Sequence, residues 1–217
     1  MSESSMNHPN VSHSGNANNP DVVQSENKHM ESHPVASAPT PDSVPIRAAI
    51  VTLSDKASAG LREDASGPAL VEALRAVGAE VGVALVIPDD REGIERTLSE
   101  LADSGKYDLI LTTGGTGLSP RDHTPDATLA VVDKVVPGIA EAMRAASIAI
   151  TPLAMLSRAV AGVRGRTLII NLPGSPKACR EQFAVVAPAL AHAVEVLRGE
   201  AYECAQAKTT GAVRRSG

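Results

Sequence analysis

Apolar residues fall along this chain in two alternating rhythms. Short runs at Ile46 to Leu53, Val81 to Ile87 and Leu109 to Leu111 have the length and composition of buried strands. Between them, apolar positions recur three or four apart. Leu70, Leu74 and Val77 predict a helix over residues 66–77 closed by Gly78, and Ile94, Leu98 and Leu101 predict a second over 92–103. Another helix is expected from Thr124 to Val132, with Thr124 as its N-cap and Pro125 as its first residue. The next begins at Pro137-Gly138 and carries Ile139, Met143 and Ile148. Residues 156–164 and 166–172 read as two strands about Gly165, an edge hairpin. A last helix spans Lys177 to Arg198, closed by Gly199, and Pro188 inside it is predicted to kink it. The alternation gives an α/β fold: three layers, a mostly parallel sheet with helices on both faces, and an antiparallel edge hairpin.

Neither rhythm reaches residues 1–45, which are rich in Ser, Asn, Pro and His. With too little apolar surface to offset the entropy of ordering, this stretch is expected to be a disordered tail. The domain is expected over 46–202, with a flexible C-terminal tail over 203–217. His8, His13, His29 and His33 lack metal-ligand spacing, and Cys179 and Cys204 fit neither a disulfide framework nor a metal site. Residues 1–45 hold five acids against one lysine, so most of the net charge of −5 sits there. The rest is nearly neutral and has only Phe183, Tyr107 and Tyr202 as aromatics, which argues against a nucleic-acid partner. No apolar stretch approaches about eighteen residues, so neither a signal peptide nor a membrane span is expected, and the location is expected to be cytoplasmic.

In an open parallel sheet, ligands bind beyond the C-terminal ends of the strands. Four loops should meet there: 54–60, 88–90, 112–122 and 173–177. The most distinctive is Thr112-Thr113-Gly114-Gly115-Thr116-Gly117, whose glycines allow sharp turns and close backbone approach. Followed by a helix start, it would offer amide groups to a phosphate. Asp89 and Asp122 would then stand close to a negative ligand. At about 4 Å and an effective dielectric near 20, each such contact costs on the order of 4 kcal/mol. Mg²⁺, held by one or two carboxylates together with phosphates, reconciles these charges. Arg121 and Lys177 are expected to touch phosphate. Asp126 is expected to complement the helix dipole, Asp55 either caps its loop or meets substrate, and His123 has no proton-transfer duty.

Three separated motifs carry a resemblance: Ser54-Asp55-Lys56-Ala57-Ser58-Ala59-Gly60, the Gly-Gly-Thr-Gly loop followed by Arg121-Asp122-His123-Thr124-Pro125-Asp126, and Asn171-Leu172-Pro173-Gly174-Ser175-Pro176-Lys177. In this order they resemble the molybdopterin adenylyltransferase family of molybdenum-cofactor biosynthesis, which includes the gephyrin G domains, over residues 46 to 202. The resemblance implies that Asp89 and Asp122 are the essential catalytic pair and hold Mg²⁺. It also implies substrate and nucleotide binding by Ser54, Asp55, Thr113, Gly114, Gly115, Thr116, Gly117, Asn171, Pro173, Gly174 and Lys177. The implied reaction transfers AMP from ATP to the terminal phosphate of molybdopterin and releases pyrophosphate. A homotrimer or hexamer is implied, with hand-over of product to the molybdenum insertion enzyme. Two other readings stay open: a non-catalytic pterin-binding carrier or scaffold, and a hydrolase of nucleotide diphosphate linkages.

Overall fold

A computed structural model describes residues 44–199. The expected tails therefore lie outside the described residues, apart from Val44 and Pro45. Those two are held in place, because the Arg198 guanidinium donates to their carbonyls at 3.1 and 3.0 Å.

Six strands form one sheet in the order β2-β1-β3-β6-β5-β4. They are β1 (Arg47–Leu53), β2 (Glu80–Ile87), β3 (Leu109–Thr113), β4 (Lys134–Val135), β5 (Ala161–Arg164) and β6 (Thr167–Leu172). The pairs β2·β1, β1·β3 and β3·β6 are parallel, and β6·β5 and β5·β4 are antiparallel. Burial explains the sequence pattern. The inner strands β3 and β6 are buried on both faces and read as unbroken apolar runs, whereas β2 at the edge alternates between half-buried and exposed residues.

Successive side chains of each strand feed two separate cores. One contains Ile50, Leu111 and Ile170 with Leu70 and Leu74 of α2 (Ser66–Ala76), Met143 of α5 (Pro137–Ile148), and Phe183 and Leu190 of α6 (Pro176–Arg198). The other contains Val51, Ile110 and Ile169 with Ile94 and Leu98 of α3 (Arg91–Asp103) and Ala127 and Val131 of α4 (Thr124–Val131). The expected three-layer, mostly parallel arrangement is therefore present. A one-turn helix, α1 (Asp55–Ser58), follows β1.

Several boundaries differ from the sequence reading. Thr124 is the first residue of α4 rather than its N-cap, because its buried hydroxyl donates to the Gly114 carbonyl at 2.9 Å instead of accepting a helix amide. The first hairpin strand is only Ala161–Arg164, since Pro152–Leu156 forms a 3-10 turn and the segment after it braces a loop. The two-residue strand β4 was not foreseen and exists through its pairing with β5. Pro188 sits within α6 on its exposed side, where the missing amide bond faces water.

At the N-terminal ends of the strands, Asp108 is buried and fully partnered. It accepts from the Arg47 backbone amide at 2.9 Å, from the Arg47 guanidinium at 2.9 and 3.0 Å, and from Arg198 at 2.7 and 3.3 Å. Burial alone would raise its pKa, but these donors overcome that and hold the carboxyl far below the usual carboxylate range.

Candidate active site

At the opposite ends of the strands, the loops after β1, β2, β3 and β6 enclose a cleft of about 560 Å³, within the usual size range of ligand pockets. Its floor is the glycine loop, and the glycines are required there. Gly114 (φ +102°) and Gly115 (φ +62°) occupy left-handed backbone. A Cβ on Gly114 would collide with the Leu53 carbonyl, and one on Gly115 would strike the Thr124 hydroxyl. Gly174 lies so close that its own Cβ would sit 3.3 Å from the Gly114 Cα. These residues let the ends of β1, β3 and β6 close on one another.

The loop's carbonyls are spoken for. Gly114 O accepts from the Thr124 hydroxyl at 2.9 Å and Gly115 O from the Thr124 amide at 3.2 Å. Thr116 O accepts from the Arg158 amide at 2.9 Å and Gly117 O from the Arg158 guanidinium at 3.0 Å. The amides of Gly115, Thr116 and Gly117 donate to no protein group among the described residues, and all three residues line the cleft.

Two acids approach this floor. Asp89 and Asp55 exchange bonds across their loops: each backbone amide donates to the other's carboxylate at 3.0 Å. Arg121 clamps the same Asp55 carboxylate, with its shortest bond at 2.6 Å. Arg121 thereby holds the Asp55 carboxyl below its ordinary range. Asp89 behaves oppositely: burial raises its pKa, and the neighbouring charges of Asp55 and Asp122 add to the rise. The Asp122 carboxylate accepts from the Ser119 amide at 2.7 Å, folded back over Gly117.

The cleft brings together Ser54, Asp89, Thr113, Gly114, Gly115, Thr116, Gly117, Asp122 and Gly174 from the sequence-derived set. Four members of that set lie elsewhere. The Asn171 amide is buried, donating to the Thr112 and Thr128 hydroxyls at 2.9 Å each, so it knits β3, β6 and α4. The Pro173 carbonyl accepts from the Thr113 hydroxyl and from the Cys179 thiol, which burial pushes up to about 11. The Lys177 side chain is 80% exposed, 3.8 Å from Glu181 and outside the cleft. Asp55 is occupied by Arg121. Arg121 holds that carboxylate through Nε and Nη2, and Asp126 forms an ion pair with Arg158 at 2.8 Å.

Sequence reasoning missed three residues. Arg62 and Asp64 line the cleft from the segment between α1 and α2. Asp64 accepts from the Thr52 hydroxyl at 2.8 Å and from the Ser66 and Gly67 amides at 3.0 Å, capping α2. Burial opposes its ionisation, yet these donors outweigh burial and lower its pKa. An acid just ahead of an expected helix start was the available signal. Arg158 left none, because its partners lie 32 to 41 positions away.

The chain's likeness to known proteins points the same way. Residues 49–192 match the model of the family described as "Probable molybdopterin binding domain". A molybdopterin adenylyltransferase of Helicobacter pylori is 42% identical over 156 residues, 71% of this chain and 89% of that protein. One from Escherichia coli is 48% identical over 139 residues, 63% of this chain and 71% of that protein. The solved molybdopterin biosynthesis enzyme MoaB of Thermus thermophilus is 49% identical, with a TM-score of 0.68, covering 71% of this chain and 97% of that one. With its glycine loop, paired acids and sheet order in place, the chain belongs to the molybdopterin-binding domain family of molybdenum-cofactor biosynthesis.

Proposed function

We propose that this chain is a molybdopterin adenylyltransferase, which transfers AMP from ATP to the terminal phosphate of molybdopterin and releases pyrophosphate. One observation carries the reading: a single cleft joins three unpartnered backbone amides to two carboxylates, Asp89 and Asp122. The names of the 42–48% identical relatives support it.

The reaction asks little covalent work of the protein. An oxygen of the pterin phosphate attacks the α-phosphorus of ATP, and the bond to pyrophosphate breaks with its electrons leaving on pyrophosphate. Rate then comes from positioning and from charge stabilisation. The Gly115, Thr116 and Gly117 amides would orient phosphate oxygens. Asp89 and Asp122 would hold Mg²⁺, and the fit is favourable. Both are hard oxygen donors, and phosphate oxygens of the substrates would supply the further ligands. The like charges around Asp89 are also what a divalent cation relieves. When bound, Mg²⁺ would neutralise charge on the transferring group.

We place this activity in the cytoplasm; among the described residues no helix is long and apolar enough to cross a membrane. A homotrimer or hexamer that hands its product to the molybdenum insertion enzyme completes the reading. Exposed apolar side chains such as Ile150, Leu153 and Met155 are what assembly would cover.

The test incubates the protein with ATP, Mg²⁺ and molybdopterin and follows pyrophosphate and the adenylylated pterin. Stoichiometric formation of both is expected. Pterin binding without pyrophosphate release would make the protein a carrier, and cleavage of ADP-ribose in place of transfer would make it a hydrolase.

A further inference from the structure

The cleft carries an imbalance of charge. Four acids line it, Glu63, Asp64, Asp89 and Asp122, against a single cation, Arg62. The other arginines nearby are already used: Arg121 is locked on Asp55, and Arg158 on Asp126 and two carbonyls. Arg62 makes no ion pair among the described residues. Its one hydrogen bond runs from Nη2 to the Ser54 Oγ at 3.1 Å.

That bond constrains Ser54. Its Oγ also accepts from the Ala57 amide at 3.2 Å, so both lone pairs of the hydroxyl are occupied. The hydroxyl hydrogen is then left to be donated to an acceptor in the cleft, which Ser54 lines. A phosphate oxygen in the cleft is such an acceptor for the Ser54 hydroxyl. Beside it, the Arg62 guanidinium keeps further N–H groups in a planar fork that matches phosphate geometry. The two sets of donors meet on the β1 side of the cleft.

We propose that Arg62, with the Ser54 hydroxyl, forms a second phosphate-oxygen site in the cleft, separate from the glycine amides and specific to the anionic end of one substrate. The inference rests on the transfer reading above and names the residue that offsets the acids lining the cleft. Its ligand is a phosphate group, which two sources could supply: the polyphosphate of ATP or the monophosphate of the pterin.

The experiment compares the full chain with Arg62→Gln and Arg62→Lys. Calorimetry measures binding of pyrophosphate and of inorganic phosphate, each as a salt, and steady-state assays give KM for ATP and for molybdopterin. Loss of one charge-assisted contact should weaken binding by about tenfold to hundredfold in Arg62→Gln, with Arg62→Lys recovering part of it. Because Arg62 is exposed, the melting temperature should stay within about 1 °C of the parent. A selective rise in the KM for ATP together with weaker pyrophosphate binding assigns the site to the nucleotide. A rise confined to molybdopterin and inorganic phosphate assigns it to the pterin. Unchanged affinity for both anions and unchanged KM values in Arg62→Gln overturn the proposal, as does a parent protein that binds neither anion. If the parent shows no adenylyl transfer, the transfer reading fails, and the anion titrations still decide the role of Arg62 on their own.

Discussion

The two ends of the sheet are built from the same strands and solve opposite problems. At the N-terminal ends, Asp108 meets two arginines and a backbone amide, and every charge in the cluster has a partner. At the C-terminal ends, Asp89 is raised by burial and by like charges, while backbone amides of the glycine loop face the cleft without acceptors. One end has relaxed into its lowest-energy pairing. The other brings like charges together beside amide donors that have no acceptor among the described residues. Within one sheet, the location of unmet electrostatic demand separates the part that sustains the fold from the part that the proposed chemistry would use.

Breaking the satisfied end should give the largest effect. Asp108→Ala leaves Arg198, whose side chain is 11% exposed, without its carboxylate, and removing one partner of such a pair costs about 3–5 kcal/mol. Urea unfolding at pH 7 should show that loss, with turnover at low temperature preserved. The pH dependence has a definite sign. Asp108 is held below its unfolded value of about 3.9, so its contribution is complete above about pH 4 and disappears as pH falls. The gap between parent and variant should therefore narrow steadily as pH falls below about 4, with part of it still present at about pH 2. A gap independent of pH would mean that lost packing, not the ion cluster, was measured.

The unsatisfied end should respond in rate rather than stability. Asp122→Asn keeps an oxygen acceptor for the Ser119 amide but removes the charge, and turnover should fall about a hundredfold or more. Near-normal turnover at saturating Mg²⁺ would remove Asp122 from the chemistry. The smallest effect belongs to Lys177→Ala. Its side chain lies outside the cleft, so stability should change by less than about 0.5 kcal/mol and the KM values should hold. A large rise in either KM would show that α6 moves onto the ligand.

The inner strands were legible because burial on both faces turns each into a short apolar run, and the loops because glycine, proline and paired acids punctuate them. What escaped was long-range. Residues 156–160 look like the continuation of a strand, yet Arg158 turns away to hold the loop around Gly117. Asn171 sits in a motif rich in turn residues and would pass for a ligand contact, but β6 carries it inward to Thr112 and Thr128. Gly115 is needed for closeness, as expected. The neighbour it approaches is Thr124 of the same domain, with Asp89 next, so a valine there would strain the fold as well as the site.

The two anchors of the glycine loop, Thr124 and Arg158, have a consequence for its electrical direction. In a trans peptide the C=O of one residue and the N–H of the next point opposite ways. Pinning the carbonyls of Gly114, Gly115 and Thr116 on these anchors therefore turns the amides of Gly115, Thr116 and Gly117 away from them, and none of the three has an acceptor among the described residues. Three peptide dipoles of the loop are thereby fixed by the fold itself, with their N–H ends unpartnered among the described residues. Little reorientation is left to these amides, so any acceptor that reaches them meets donors already set by the folded chain itself.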